Sequence, residues 1–246
     1  MINITLLSLR LNKLWYVLTK PKLLRILFRY NVLVACEHKP VLDKELKCVI
    51  DVGANRGQFA LAARSITNAK VYSFEPLSDA AKTFRKVFSK DPDVELYEVA
   101  IGNASGKEVI HLSAKDDSSS LLEIGDEQTK HYPGTQEVDT REITIGTLDE
   151  YIDVNEILQP AMLKIDVQGF ELEVLKGCKS VLDKITYIYV ECSFIELYKD
   201  QAFASEVIDF LHRTNFILCG VHNTSYDHDG RAIQADFLFE KSTVDK

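Results

Sequence analysis

The segment Cys48-Val-Ile-Asp-Val-Gly-Ala-Asn-Arg-Gly-Gln-Phe59 constrains the fold of this chain more than any other. A short apolar run, Val49-Ile50, leads into Asp51, and Gly53, Asn55 and Gly57 follow at once. Phe59, Ala62, Ala63 and Ile66 then recur at helical spacing and mark one buried helix face. The pattern predicts a strand, a glycine-rich turn and a helix, a geometry in which backbone can approach a nucleotide-like ligand closely. The glycines are spaced D-x-G-A-N-x-G, not G-x-G-x-x-G, so the dinucleotide fingerprint is not met. Glu75 closes the next predicted strand, 24 residues after Asp51. A carboxylate there can accept hydrogen bonds from both hydroxyls of a ribose. An ordinary strand-to-helix turn would also use glycine, and a solvated strand end would tolerate glutamate. The turn and the distant acid together point to a ligand.

The rest of the chain continues the alternation. Strands are predicted at about 49–52, 71–74 and 94–100, separated by helices, which implies a parallel sheet. The middle departs from it: residues 108–112 and 142–145 read as strands around a polar stretch, 116–134, expected to be a mobile surface segment. A small helix is expected at 147–152. Strand, helix and strand return at 162–166, 169–175 and 185–191, with a last helix marked by Phe203, Val207, Phe210 and Leu211. Residues 216–221 and 235–240 form two final strands. The expectation is an α/β domain with a doubly wound, mostly parallel seven-stranded sheet, a final antiparallel hairpin and an inserted β elaboration.

Six segments, in order and spacing, make the likeness specific: Cys48–Phe59, Ser73-Phe-Glu-Pro76, Ala100-Ile-Gly102, Thr147-Leu-Asp149, Leu163-Lys-Ile-Asp-Val-Gln-Gly169 and Val190-Glu-Cys-Ser-Phe194. With the closing Asp236-Phe-Leu-Phe239, they resemble the FkbM family of S-adenosylmethionine-dependent methyltransferases over roughly residues 37–240. The resemblance implies a class I methyltransferase-like Rossmann fold, S-adenosylmethionine as cofactor, and methyl transfer to a hydroxyl of a saccharide, glycolipid or related natural product. One position departs: the family usually reads K-I-D-V-E-G, and Gln168 stands here in place of the glutamate.

Ligands of open α/β sheets bind at the C-terminal strand ends, where Asp51, the 53–57 turn, Glu75, Ala100, Ile101, Asp166 and Glu191 all fall. Gly53 and Gly57 would meet the aminocarboxypropyl tail of the cofactor beside a helix N-terminus, with Asn55 in the same turn. Asp51 would accept from its amine, Glu75 would hold the ribose diol, and Ala100 and Ile101 would flank the adenine. Asp166 could orient the acceptor hydroxyl, bind the amine, ligate a metal or cap a helix. Glu191 and His222 are the other acid/base candidates, each with a plain solvated or loop-bracing role as the alternative. The other histidines, His38, His111, His131, His212 and His228, form no metal-ligand spacing, and no metal is expected. Tyr132, Phe194, Tyr198 and Tyr226 fall in predicted loops, where they could stack on a sugar or fill loop cores. Two other readings stay open, a nicotinamide-dependent oxidoreductase and a non-catalytic, membrane-apposed scaffold of the same fold.

The net charge of −8 argues against a nucleic-acid partner, whose phosphates need clustered Lys and Arg. Five scattered cysteines without C-x-x-C pairs suit a reducing compartment. Neither a cleavable leader pattern nor an apolar run of about 18 residues is evident, so the expected location is cytoplasmic. Residues 1–36 are a separate basic prefix to a catalytic domain of 37–246. They carry Arg10, Lys13, Lys20, Lys22, Arg25 and Arg29 and no acid, against 23 basic and 37 acidic residues in the remainder. A helix ending near Cys36 would place Lys22, Arg25 and Arg29 on one face and Leu23, Leu27, Tyr30 and Val34 on another. Such a helix can pack on the domain or lie on the anionic inner face of a membrane.

Overall fold

Ten strands organise the described residues: β1 (Cys48–Val52), β2 (Lys70–Phe74), β3 (Val94–Tyr97), β4 (Ala100–Ile101), β5 (Gly106–Ser113), β6 (Glu137–Gly146), β7 (Ala161–Ile165), β8 (Tyr187–Ser193), β9 (Phe216–Tyr226) and β10 (Ala232–Lys241). The computed structural model describes residues 16–242; Arg10 and Lys13 of the prefix lie outside them. Seven strands form one sheet in the order β3-β2-β1-β7-β8-β10-β9. The first five run parallel, and β10 pairs antiparallel with both β8 and β9. The chain runs outward from β1 to β3 and crosses back to β7 beside β1, which leaves a switch point at the C-terminal ends of β1 and β7, where such sheets place their ligands.

Side-chain alternation builds a core on each face of the sheet. Ile50, Leu163, Ile188 and Phe237 face one way, toward α6 (Glu171–Gly177) and α7 (Ala204–Arg213), where Val174, Leu175, Val207 and Leu211 are buried. Val49, Met162, Tyr189 and Leu238 face the other, toward α3 (Gln58–Ile66). The parallel strands read as apolar runs because both faces are covered. All five residues of β1 and of β7 are buried, Lys164 included.

Leu23 and Ile26 of α1 (Pro21–Tyr30) are buried in the same cluster as Phe59, Leu61, Phe84 and Phe88. The expected helix to Cys36 stops at Tyr30, because Asn31 turns to φ 54° and its N–H bonds back to Leu27. A 3₁₀ turn (Cys36–His38) and α2 (Lys39–Leu42) follow, with Val41, Leu42 and Leu46 buried. Among the described residues no helix is long and apolar enough to cross a membrane.

The middle segment differs most from expectation. The predicted strand 94–100 divides: β3 ends at Tyr97, and β4 leaves the large sheet to pair parallel with β6 in a second sheet, β4-β6-β5. Residues 116–134 are a folded cover, not a loose surface loop. Ser120 exchanges backbone hydrogen bonds with His111, Gly125 N–H donates to Leu197, and α5 (Asp126–His131) follows. Ser118, Ser120, Gln128 and Thr135 are buried. Polar composition hid this, because backbone pairing and single polar side chains anchor the segment instead of an apolar stripe.

Ile26→Ala should cost about 2–4 kcal/mol, since its side chain fills the cluster beneath α1. Phe28→Ala, on the opposite face at 82% exposure, should stay within about 0.5 kcal/mol of the wild type. Urea denaturation of both variants checks the contrast; equal midpoints would contradict the packing.

Candidate functional site

Backbone conformation shapes the turn after β1. Gly53 (φ 79°), Asn55 (φ 47°) and Gly57 (φ 93°) all adopt left-handed geometry. A Cβ on Gly53 would sit 1.8 Å from the carbonyl oxygen of Asp166, and one on Gly57 would sit 2.6 Å from the Phe88 ring. Packing inside the protein therefore requires both glycines, independently of any ligand. The turn is pinned to β2, where Gly53 and Ala54 N–H groups donate to the Phe74 carbonyl.

Glu75 is buried at the end of β2. Its Oε2 accepts the Asn55 N–H and its Oε1 the Leu77 N–H, both at 2.8 Å. Burial pushes its carboxyl up to about 7, against those two bonds. Each oxygen keeps capacity to accept another bond, and Glu75 lines a cavity of about 480 Å³. Gly53, Asn55, Glu75, Ala100, Ile101 and Asp166 all line that cavity. Its apolar wall adds Leu77, Val99, Ile110 and Phe170, and the 116–121 cover closes one side. Arg56 of the turn pairs with Asp116 of the cover at 2.5 Å.

Asp51 does not reach the cavity. It is fully buried and lies 3.3 Å from the ammonium of Lys164, which also faces Asp166 at 3.6 Å and donates to the Gly53 carbonyl. Burial opposes the charge of Lys164, but Asp51 and Asp166 hold it protonated above its ordinary range. Lys164 is a site residue that sequence reading passed over as a neighbour of Asp166. The signal was present, a lone charge inside the apolar run Ala161–Ile165.

Gln168 sits at φ 60° in the loop after β7. Its amide donates to Asp166 at 2.8 Å and to Glu191 at 3.0 Å, and accepts from the Tyr198 hydroxyl at 2.7 Å. A carboxylate could not donate to two others, so the amide lets Asp166 and Glu191 approach. Glu171 clamps the same loop by accepting from Val167 and Gly169 N–H groups. Glu191 is enclosed, its second oxygen taken by Gln234 at 2.6 Å. Burial, then the charges of Asp166, Asp236 and Glu171, raise its carboxyl well above the usual range. Glu191 and His222 do not line the cavity; His222 is on β9, opposite Asp236. Tyr198 is a buried anchor, which removes it from sugar stacking, while Phe194 packs on Phe237. His38, set aside in the sequence, lines the cavity beside Gly53 and Asp166. Its partners are Tyr189 and Asp236, too distant in the chain for any spacing to reveal. Among the described residues no group of three His, Cys, Asp or Glu side chains is arranged to hold a metal ion.

The sheet order, the turn and the acid at the end of β2 define a class I methyltransferase. The chain belongs to the FkbM methyltransferase family, whose domain pattern matches residues 51–218. NoeI, a 2-O-methyltransferase of Sinorhizobium fredii, is 28% identical over 183 residues, 70% of this chain and 73% of that protein. AglP, a hexuronic acid methyltransferase of Haloferax volcanii, is 32% identical over 148 residues, 57% of this chain and 54% of that protein. Among solved structures, TehB from Haemophilus influenzae superposes with a TM-score of 0.47 at 10% identity, over 90% of this chain and 67% of that one. The family's methyl donor is S-adenosylmethionine, and the cavity fits it. Asn55 Oδ1 and Gln58 Oε1 are buried on its wall without hydrogen-bond partners, as acceptors awaiting a donor would be.

Glu75 generates a pH prediction. Its folded value of about 7 lies above the ordinary 4.5, so the free protein holds that proton more tightly than the unfolded chain does, and loses stability as pH rises between the two. Ribose hydroxyls donate to a carboxylate, so ligation favours the ionised form. Affinity for S-adenosylmethionine should rise with pH up to about 7, by at most roughly tenfold per unit. Glu75→Gln should flatten this profile and weaken binding by about 1–3 kcal/mol. Calorimetric titration from acid to neutral pH is the check, and a flat wild-type profile would refute the assignment.

Proposed function

We propose that this chain transfers a methyl group from S-adenosylmethionine to a hydroxyl oxygen of a saccharide. The observation that carries the reading is the pair of relatives, one a 2-O-methyltransferase and the other acting on hexuronic acid, joined to a chain of their family. The methyl donor supplies a carbon made electrophilic by a positively charged sulfur. Glu75 would hold its ribose diol, and Asn55 and Gln58 its polar tail. Ala100, Ile101, Leu77 and Phe170 would enclose the adenine. Asp166 would accept a hydrogen bond from a sugar hydroxyl next to the reacting one and so aim the acceptor, with Lys164 fixing the carboxylate from below. The protein's work is proximity, orientation and removal of one proton.

Charge narrows the acceptor. Glu37, Glu75, Asp116, Asp117 and Asp166 line the cavity against a single ammonium, Lys164, which is already paired. That wall favours a cationic donor and opposes an anionic acceptor. A neutral sugar is therefore expected to be methylated at least tenfold faster, by kcat/KM, than the matching uronate. Mass spectrometry of products from a panel of methyl glycosides and glucuronides tests both statements. Bound cofactor with no methylated sugar would overturn the function, and a preference for the uronate would overturn the charge argument.

Weak attachment to an anionic lipid surface is part of the same proposal. Lys22, Arg25 and Arg29 are exposed on α1, and Phe28 stands among them. Each cation near such a surface contributes about 1 kcal/mol, and the aromatic ring adds an apolar foothold. Replacing the three cations with glutamine should lower sedimentation with phosphatidylserine liposomes at least tenfold. Undiminished sedimentation of the folded variant would remove the proposal.

A further inference from the structure

We propose that His38 is the general base of the transfer, accepting the proton of the acceptor hydroxyl on Nε2 while Tyr189 and Asp236 position its ring. This rests on the O-methyl transfer read above and adds the residue that completes it. The base comes from the turn between the prefix helix and the sheet, outside the strand ends where catalytic groups were expected.

Position is the first support. The sheet order carries Glu75 on β2, Gly53 after β1 and Asp166 after β7, and then Tyr189 and Asp236 on β8 and β10. His38 lies over the last two and still lines the cavity. It therefore stands at the end away from Glu75 and the apolar wall, on the side left for an acceptor. Its ring is held edge-on against Phe59 and Tyr189, with centroids at 5.3 and 5.5 Å.

Hydrogen bonding is the second support. The Tyr189 hydroxyl lies 2.8 Å from Asp236 Oδ2 and 2.9 Å from His38 Nδ1. Asn223 Nδ2 donates to the same Asp236 oxygen at 2.7 Å and to the phenol oxygen at 3.2 Å. An ionised Asp236 has no proton to give, so the single hydroxyl proton of Tyr189 points to it. The phenol oxygen is then an acceptor, and His38 must donate through Nδ1–H. That places the imidazole lone pair on Nε2. The arrangement is a carboxylate, a phenol and an imidazole in series, with the phenol relaying what a carboxylate does directly in a triad.

Surrounding charges suit both forms of the ring. Burial lowers the proton affinity of His38, so it rests neutral, and Lys164 acts in the same direction. Asp236, Glu37 and Asp166 act the other way and would steady the imidazolium once formed. Asp236 lies 3.8 Å from Nδ1 and Glu37 4.0 Å from Nε2. The rival bases are committed elsewhere. Glu191 has an amide on each oxygen and lies off the cavity wall, and Asp166 is engaged by Gln168 and Lys164. In the reaction the hydroxyl oxygen forms its bond to the methyl carbon as the carbon–sulfur bond breaks, leaving the electron pair on sulfur. The hydroxyl proton passes to Nε2, and the imidazolium returns it to solvent.

The test combines nitrogen NMR of the labelled full chain with kinetics on the methyl glycosides that the panel finds active. At neutral pH the His38 ring should carry its proton on Nδ1, and Tyr189→Phe should abolish that preference. His38→Gln should lower kcat about a hundredfold or more, with affinity for S-adenosylmethionine within about twofold of wild type. The acidic limb of the kcat profile, where activity falls as His38 gains a proton, should disappear with it. Tyr189→Phe should lower kcat about tenfold and displace that limb. A proton on Nε2 in the wild type, or an unchanged kcat in His38→Gln, overturns the proposal. So does a loss of cofactor affinity that matches the loss of kcat, since His38 would then be a cofactor ligand. If the cofactor binds and no glycoside is methylated, the saccharide reading fails, while the NMR result still judges the His38–Tyr189–Asp236 chain.

Discussion

The buried ammonium of Lys164 is the interaction on which the site depends. It joins Asp51 on β1, Asp166 after β7 and the carbonyl of Gly53, so one side chain ties two central strands to the turn that follows β1. Taking these charges out of water costs several kcal/mol per ion, and only close pairing offsets that. Removing Lys164 would leave Asp51 in the core without its counter-ion. The same contact sets the turn, because Gly53 packs directly on the Asp166 carbonyl. The floor of the cavity is thus rigid before any ligand arrives, as catalysis by positioning requires.

Around that floor, amides separate carboxylates that would otherwise repel. Gln168 stands between Asp166 and Glu191, and Gln234 covers the other side of Glu191. Glu171 is satisfied by backbone N–H groups, and Ser120 ties the polar cover to the Gln168 carbonyl at 2.6 Å. The cover therefore closes on the loop that holds Asp166. A polar segment with little apolar surface can fold in this way because buried hydrogen bonds such as that of Ser120 anchor it.

Much of this was legible in the sequence, for identifiable reasons. Strand and helix periodicity marked β1, α3 and β2, because covered parallel strands must be apolar and helix faces must repeat. Asp51, Gly53, Asn55, Gly57 and Glu75 could be picked out since their spacing is local. Their geometry was less so: Asp51 proved to be the counter-ion of Lys164, and the glycines are demanded by Asp166 and Phe88. Ala100 and Ile101 were placed beside the cavity, yet in a second sheet that no local pattern announced.

The sequence by itself determined the fold class, the family and the position of the acid proposed to hold the ribose, because periodicity, turn chemistry and ordered motifs are properties of neighbouring residues. Only the tertiary structure decided which polar groups meet. His38 is 151 residues from Tyr189 in the chain, and Gln168 is 30 from Tyr198. Glu191 was withdrawn behind two amides, His222 was left off the cavity, and His38 was brought to its wall. Burial and pairing set the charge of each group, and both are sums over distant segments that no window of sequence contains.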